Sequence, residues 1–249
     1  MWGIIPAAGA GTRIQPLACS KELLPVGGQH DGMMEHPRAV SEYLVDRMRM
    51  GGADKICFVI GPKKFDIVEY YSAHHSASST ITFVIQPRPQ GLCDALFRCV
   101  DLIPPDEQIL IGLPDTIWFP EDGFSMLPDG LFSFLLFPVA TPALFDAVIF
   151  DDDKRVREIQ VKQKNAQSNW IWGAFKLPGR LFRDLYELWC EREKQDEYVG
   201  TLINAWIAKG GTAIAVPYGN IYVDVGTLPN YRKAIQLLSE GAPATATGI

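Results

Sequence analysis

The chain lacks any run of about eighteen apolar residues, the length a membrane-spanning helix requires, and its N-terminus has neither a positively charged leader nor an apolar stretch long enough for a signal peptide. The expectation is a cytoplasmic protein without a membrane partner. Cysteine is scarce, with 5 in 249 residues. Those at 19, 57, 93, 99 and 190 form no Cys-x-x-Cys pair and no spacing with histidine suited to zinc, so they read as reduced thiols. A basic stripe is missing too, and the net charge is −6. This excludes a nucleic-acid partner, which needs clustered Lys and Arg to displace counterions. No internal repeat, low-complexity linker or charge block divides the chain. At 47% hydrophobic residues it can bury one large core.

What is present is alternation. A short apolar run at 3–8 reads as a buried parallel strand. From Pro37, Val40, Tyr43, Leu44 and Met48 recur at helical spacing, with Gly51-Gly52 at the exit. Strands follow at 55–60, 81–85 and 109–112, separated by helical patterns at 66–73 and 92–102. This β-α-β-α order predicts a mostly parallel sheet whose ligands sit at the carboxyl ends of its strands. Beyond Asp115 strands dominate, at 131–139, 147–150, 156–161 and 170–176. Helices return at 180–193 and 199–209, then strands near 213–216 and 221–223, a helix at 228–239, and a frayed tail at 241–249.

Gly9-Ala10-Gly11-Thr12-Arg13 follows the first strand directly. Two glycines let backbone amides approach an anion, while Arg13 and Lys21 place cations beside the same concavity. The third glycine of a dinucleotide fingerprint is absent, and so is the Gly-Lys-Ser/Thr of a Walker loop. Gly9, Gly11, Thr12, Arg13, Pro16, Ser20, Lys21, Leu24, Pro25 and Val26 together resemble the opening of the sugar nucleotidyltransferases. Ser20-Lys21 is similar to the glucose-1-phosphate thymidylyltransferase branch, and Lys21-Glu22-Leu23-Leu24-Pro25 to the uridylyltransferases. The segment from Pro16 to Lys21 is shorter than is usual in that family.

The resemblance implies a single-domain, Rossmann-like α/β fold with a mixed, mostly parallel sheet flanked by helices. Residues 1–125 would form its nucleotide-binding half and 126–240 its sugar-phosphate half. Its partners would be a nucleoside triphosphate and a sugar 1-phosphate, and its cofactor Mg2+. Ala8, Gly9, Gly11 and Thr12 would form the phosphate loop, with Arg13 and Lys21 on the triphosphate. Asp115, in Gly112-Leu113-Pro114-Asp115, and Asp224, in Asp224-Val225-Gly226-Thr227, match the family's two metal aspartates. A nucleoside triphosphate and a sugar 1-phosphate together bring roughly six negative charges, which a divalent ion held by two carboxylates offsets. Either aspartate by itself reads equally well as a turn or cap residue.

Gln86, in Gln86-Pro87-Arg88-Pro89-Gln90-Gly91, resembles the family's base-reading glutamine. An amide that donates and accepts suits the edge of uracil or thymine. Cytosine is readable after a side-chain flip, and a solvated Pro-rich loop is the plainer alternative. Lys162 aligns with the family's phosphate-binding lysine, although the neighbouring Glu and Pro are absent, and Lys164 is the alternative. Trp170, Trp172 and Gly173 fall where the sugar-contacting strand begins, and Asp146 stands at a sugar-side position that is usually Gly. An indole can support a sugar ring, though aromatic pairs also serve as core.

Two rival readings stay open. A nucleotide-sugar-dependent glycosyltransferase would use Asp151-Asp152-Asp153 on a metal, whereas three acids followed by Lys154-Arg155 also describe a solvated hairpin turn. A non-catalytic nucleotide-binding subunit would explain the altered Lys162 element. The sequence leaves the oligomeric state open, including a homo-oligomer.

Overall fold

The computed structural model describes residues 1–30, 32–74 and 80–239. The expected tail at 241–249 and His75 lie outside the described residues. The chain runs β1 (Trp2–Ala7), β2 (Pro25–His30), β3 (Glu35–Ala39), α1 (Val40–Met50), β4 (Lys55–Ile60), α2 (Phe65–His74), β5 (Thr80–Ile85), α3 (Gly91–Phe97), β6 (Gln108–Gly112) and β7 (Thr116–Phe119). It continues with β8 (Phe132–Pro138), β9 (Asp146–Phe150), β10 (Val156–Val161), β11 (Trp170–Pro178), α4 (Gly179–Glu191), α5 (Val199–Ala208), β12 (Ala213–Val216), β13 (Ile221–Asp224) and α6 (Leu228–Ser239).

A 9-stranded mixed sheet carries the order β10-β9-β11-β6-β1-β4-β5, with β8 on β11 and β12 on β8. The first-half strands β6, β1, β4 and β5 are parallel neighbours. β11 then joins β6 antiparallel and starts the second half. Ile4, Ile5 and the run Ile56 to Ile60 are fully buried, which is why these strands read as continuous apolar stretches. Pro6 sits in a central strand without an N–H to give, and the β1–β6 ladder has already ended at Ile4.

Three departures from the expected elements matter. The helix expected from Pro37 begins at Val40, because the pre-proline residue His36 favours extended backbone and Glu35–Ala39 pairs with Pro25–His30 as a hairpin. The helix expected over 92–102 stops at Phe97, and its continuation tightens into a 3-10 turn at Val100–Leu102. The short β7 pairs antiparallel with β13 in a separate two-stranded sheet, with Asp224 opposite Thr116. That small sheet connects two segments far apart in sequence at the mouth of the larger one.

Candidate active site

Since β1, β4, β5 and β6 are parallel, their carboxyl ends share one edge of the sheet. The loops that leave it carry Gly9 to Arg13, Gly61 to Lys64, Gln86 to Gly91, and Leu113 to Asp115. Two cavities open there. One, of about 620 Å³, is lined by Gly9, Arg13, Lys21, Asp115, Asp146, Lys162, Trp172, Tyr222 and Asp224 among others. The other, of about 730 Å³, is bounded by Ala8, Ala10, Ser20, Lys63, Lys64, Pro87 and Pro89. Lys21 lines both.

Asp115 and Asp224 meet. The Val225 N–H donates to the Asp115 carbonyl at 2.8 Å, so the β7–β13 pairing holds both aspartates at one place. Each carboxylate already has a cation: Lys21 Nζ lies 2.5 Å from Asp115 Oδ2, and Arg13 Nη2 lies 3.2 Å from Asp224 Oδ2. The shortened segment after Pro16 therefore still delivers Lys21. Gly226 N–H donates to Asp224 Oδ1 at 2.7 Å and fixes the second oxygen. Burial opposes the charge on Lys21, but Asp115, Glu22 and Asp224 outweigh it and hold the ammonium above its ordinary value.

The same cavity is lined by a carboxylate without any local sequence signature. Glu22 is fully buried, and both its oxygens accept from Lys64 Nζ, at 2.7 and 2.8 Å. The same ammonium donates to the Ala7 carbonyl at 2.7 Å, fastening the end of β1 where the glycine loop starts. Burial pushes the Glu22 carboxyl up against the pull of Lys64 and Lys21. It pushes Lys64 down against the pull of Glu22.

Lys162, which lines the same cavity, has a positive φ of 46°, and its N–H donates to the Phe145 carbonyl at 3.0 Å. This left-handed backbone turns the side chain to the cavity, with Nζ 4.5 Å from the Tyr198 ring centroid. Burial raises the Asp146 carboxyl, while Lys162 and the Trp172 indole work against that shift. Neither Asp146 Oδ1 nor Trp172 Nε1 makes an aligned hydrogen bond to any described residue. The Tyr222 phenol is held well above its ordinary value by burial and by Asp224, Asp115 and Asp146.

The remaining expected residues fall elsewhere. Thr12 is exposed and lines neither cavity. Gly11, at φ +64°, covers the Lys21 stem, and Gly173 lies behind Tyr222, whose ring would collide with any added Cβ. Trp170 packs against the core, and Lys164 lines neither cavity. Gln86 is buried rather than displayed on an open loop. Its amide N–H groups donate to Asp94 Oδ2 at 2.7 Å and to the Gly91 carbonyl at 3.2 Å. Gly91, at φ +91°, lies against the Glu197 backbone, where an added Cβ would stand only 2.7 Å from Glu197 Cα. Asp151 closes the β9–β10 turn by accepting from Arg155 N–H at 2.8 Å and pairing with Arg157. None of the three acids at 151–153 lines either cavity.

The architecture and this loop pattern agree with known proteins. A family model described as nucleotidyl transferase matches residues 2–241. The chain belongs to that family. This nucleotidyltransferase is 30% identical to the UTP–glucose-1-phosphate uridylyltransferase AglF of Haloferax volcanii, over 96% of this chain and 97% of that one. It is 26% identical to the glucose-1-phosphate thymidylyltransferase of Mycolicibacterium smegmatis, over 94% and 81%. In fold it is similar to the UDP-glucose pyrophosphorylase of Acinetobacter baumannii, with a TM-score of 0.76 at 19% identity over 97% and 94% of the two chains.

Proposed function

We propose that this nucleotidyltransferase joins a nucleoside triphosphate, dTTP or UTP, to a sugar 1-phosphate. It would release pyrophosphate and a nucleotide diphosphate sugar. The meeting of Asp115 and Asp224 beside the Gly9-to-Arg13 loop carries the reading. It is supported by the two adjoining cavities, which offer room for two substrates with Lys21 between them. The curated relatives act on UTP or thymidylyl groups and glucose 1-phosphate by name.

The residues fit magnesium, which takes one or two carboxylates and completes its shell with waters and substrate phosphates. Among the described residues no cluster of three or more His, Cys, Asp or Glu offers a fuller cage. Asp115 and Asp224 would hold the ion, and when bound it supplies charge neutralisation at the phosphates. Arg13, Lys21 and the loop amides orient the triphosphate. Lys162 steadies the sugar phosphate, whose oxygen attacks the α-phosphorus in line, and Trp172 and Asp146 face the sugar. Positioning and fixed charge supply the rate, with no covalent enzyme intermediate.

Pyrophosphate release, measured across triphosphates and sugar 1-phosphates at saturating magnesium, tests this. Asp115→Asn and Asp224→Asn should each lower turnover by at least about a hundredfold, the scale of losing one fixed electrostatic group. Activity within a few fold of the parent would remove the metal roles.

A further inference from the structure

The buried amide of Gln86 has only one orientation open to it. Asp94 Oδ2 and the Gly91 carbonyl both lie at its nitrogen end, and both are acceptors, so the NH2 group must face them. Asp94 cannot turn away to relax this arrangement. Arg98 Nη2 holds its other oxygen at 2.9 Å and Arg98 Nε reaches Oδ2 at 3.4 Å, within one turn of α3. Asp94 is itself buried, and Gly91 is pinned under Glu197, whose carbonyl accepts the Leu92 N–H at 2.8 Å. With both amide hydrogens engaged, the free polar group of Gln86 is Oε1, which receives no donor from any described residue. Gln86 leads directly into Pro87 and Pro89, two walls of the 730 Å³ cavity.

We infer that Asp94 is a positioning residue for base choice: it locks Gln86 as a pure acceptor, so that the base must offer an N–H at the centre of its pairing edge. This rests on the base-reading role that the family resemblance implies for Gln86. Uracil and thymine carry that donor at N3, whereas N3 of cytosine is an acceptor. A freely rotating glutamine could serve either by turning over. Here turning over would set Oε1 against a carboxylate and a carbonyl, losing two hydrogen bonds in a buried setting.

The test is calorimetric binding of UTP, dTTP and CTP to the full chain, alongside pyrophosphate release. The parent should bind UTP or dTTP at least about thirtyfold more tightly than CTP, the range expected when one buried polar group is left unpaired. In Asp94→Asn, Arg98 retains the side-chain oxygen, so the new NH2 faces Gln86 and favours the reversed amide. The preference should shrink to within about threefold, with the melting temperature near that of the parent. Asp94→Ala, which frees Gln86 to rotate, should shift the ratio in the same direction and serves if the Asn variant does not fold. A purely structural role would weaken all three nucleotides equally.

A parent that prefers CTP, or variants that keep the parental ratio within twofold, would overturn the inference. Absence of pyrophosphate release from every substrate pair would overturn the transfer reaction instead, while the binding ratios still judge Asp94.

Discussion

Replacing Glu22 by Gln removes a carboxylate that faces two lysines, Lys64 and Lys21. Glu22 is completely buried and grips Lys64 with both oxygens, while Lys64 is 12% exposed. Breaking a buried pair from one side costs roughly 3–5 kcal/mol because the surviving charge is stranded. Two features favour the lower end. Lys64 is already displaced toward its neutral form by burial, so it can shed its proton, and Gln can still accept a hydrogen bond. For a domain of this size each kcal/mol moves the melting temperature by about 2–4 °C. Glu22→Gln should therefore melt roughly 6–12 °C below the parent in calorimetry at pH 7. The double variant Glu22→Leu, Lys64→Met should recover much of that loss, since an apolar pair strands no charge. A single variant melting within about 2 °C of the parent would refute the claim that this pair supports the loop.

Two further predictions concern buried charge. Arg47 is 1% exposed, makes no hydrogen bond through its guanidinium nitrogens to any described residue, and has Glu121 3.9 Å away. Burial lowers it from 12.5 to about 10, against the pull of Glu121. Its charged form therefore costs the fold about 3 kcal/mol at neutral pH, partly offset by the rings of Trp118 and Phe119 that it faces. Arg47→Met should unfold at higher urea, by about 1 kcal/mol, and a loss of more than that amount would contradict the reasoning. Asp146 works with the opposite sign of charge. Its folded carboxyl lies above the unfolded value of 3.8 because of burial, so the parent loses stability as pH rises through the folded value and is unaffected below the unfolded one. Asp146→Asn should gain on the parent between pH 4 and pH 7 in urea titrations. A gap that stays constant or narrows would count against it.

The sequence exposed most of the scaffold because the parallel strands are buried on both faces and read as apolar runs. The hairpin of β2 and β3 was hidden for the contrary reason: Gly27, Gly28, Gln29 and His30 are exposed and show no alternation. β7 was missed because Thr116–Phe119 is only 4 residues long and buried throughout, so it carries no period of its own. In the site, Arg13, Lys21, Asp115 and Asp224 could be picked out because glycines, or matches to a family pattern, marked their places. Glu22 and Lys64 could not, since their partnership joins residues 42 positions apart and has no local signature. Nor could the role of Asp94, which depends on the direction of one amide.

Lys21 borders both cavities, so one residue neighbours whatever fills either one. If an anion on one side alters the hold on a guest across the partition, equilibrium linkage requires the effect to be equal in reverse. Coupling of that kind would run through one side chain that both chambers share.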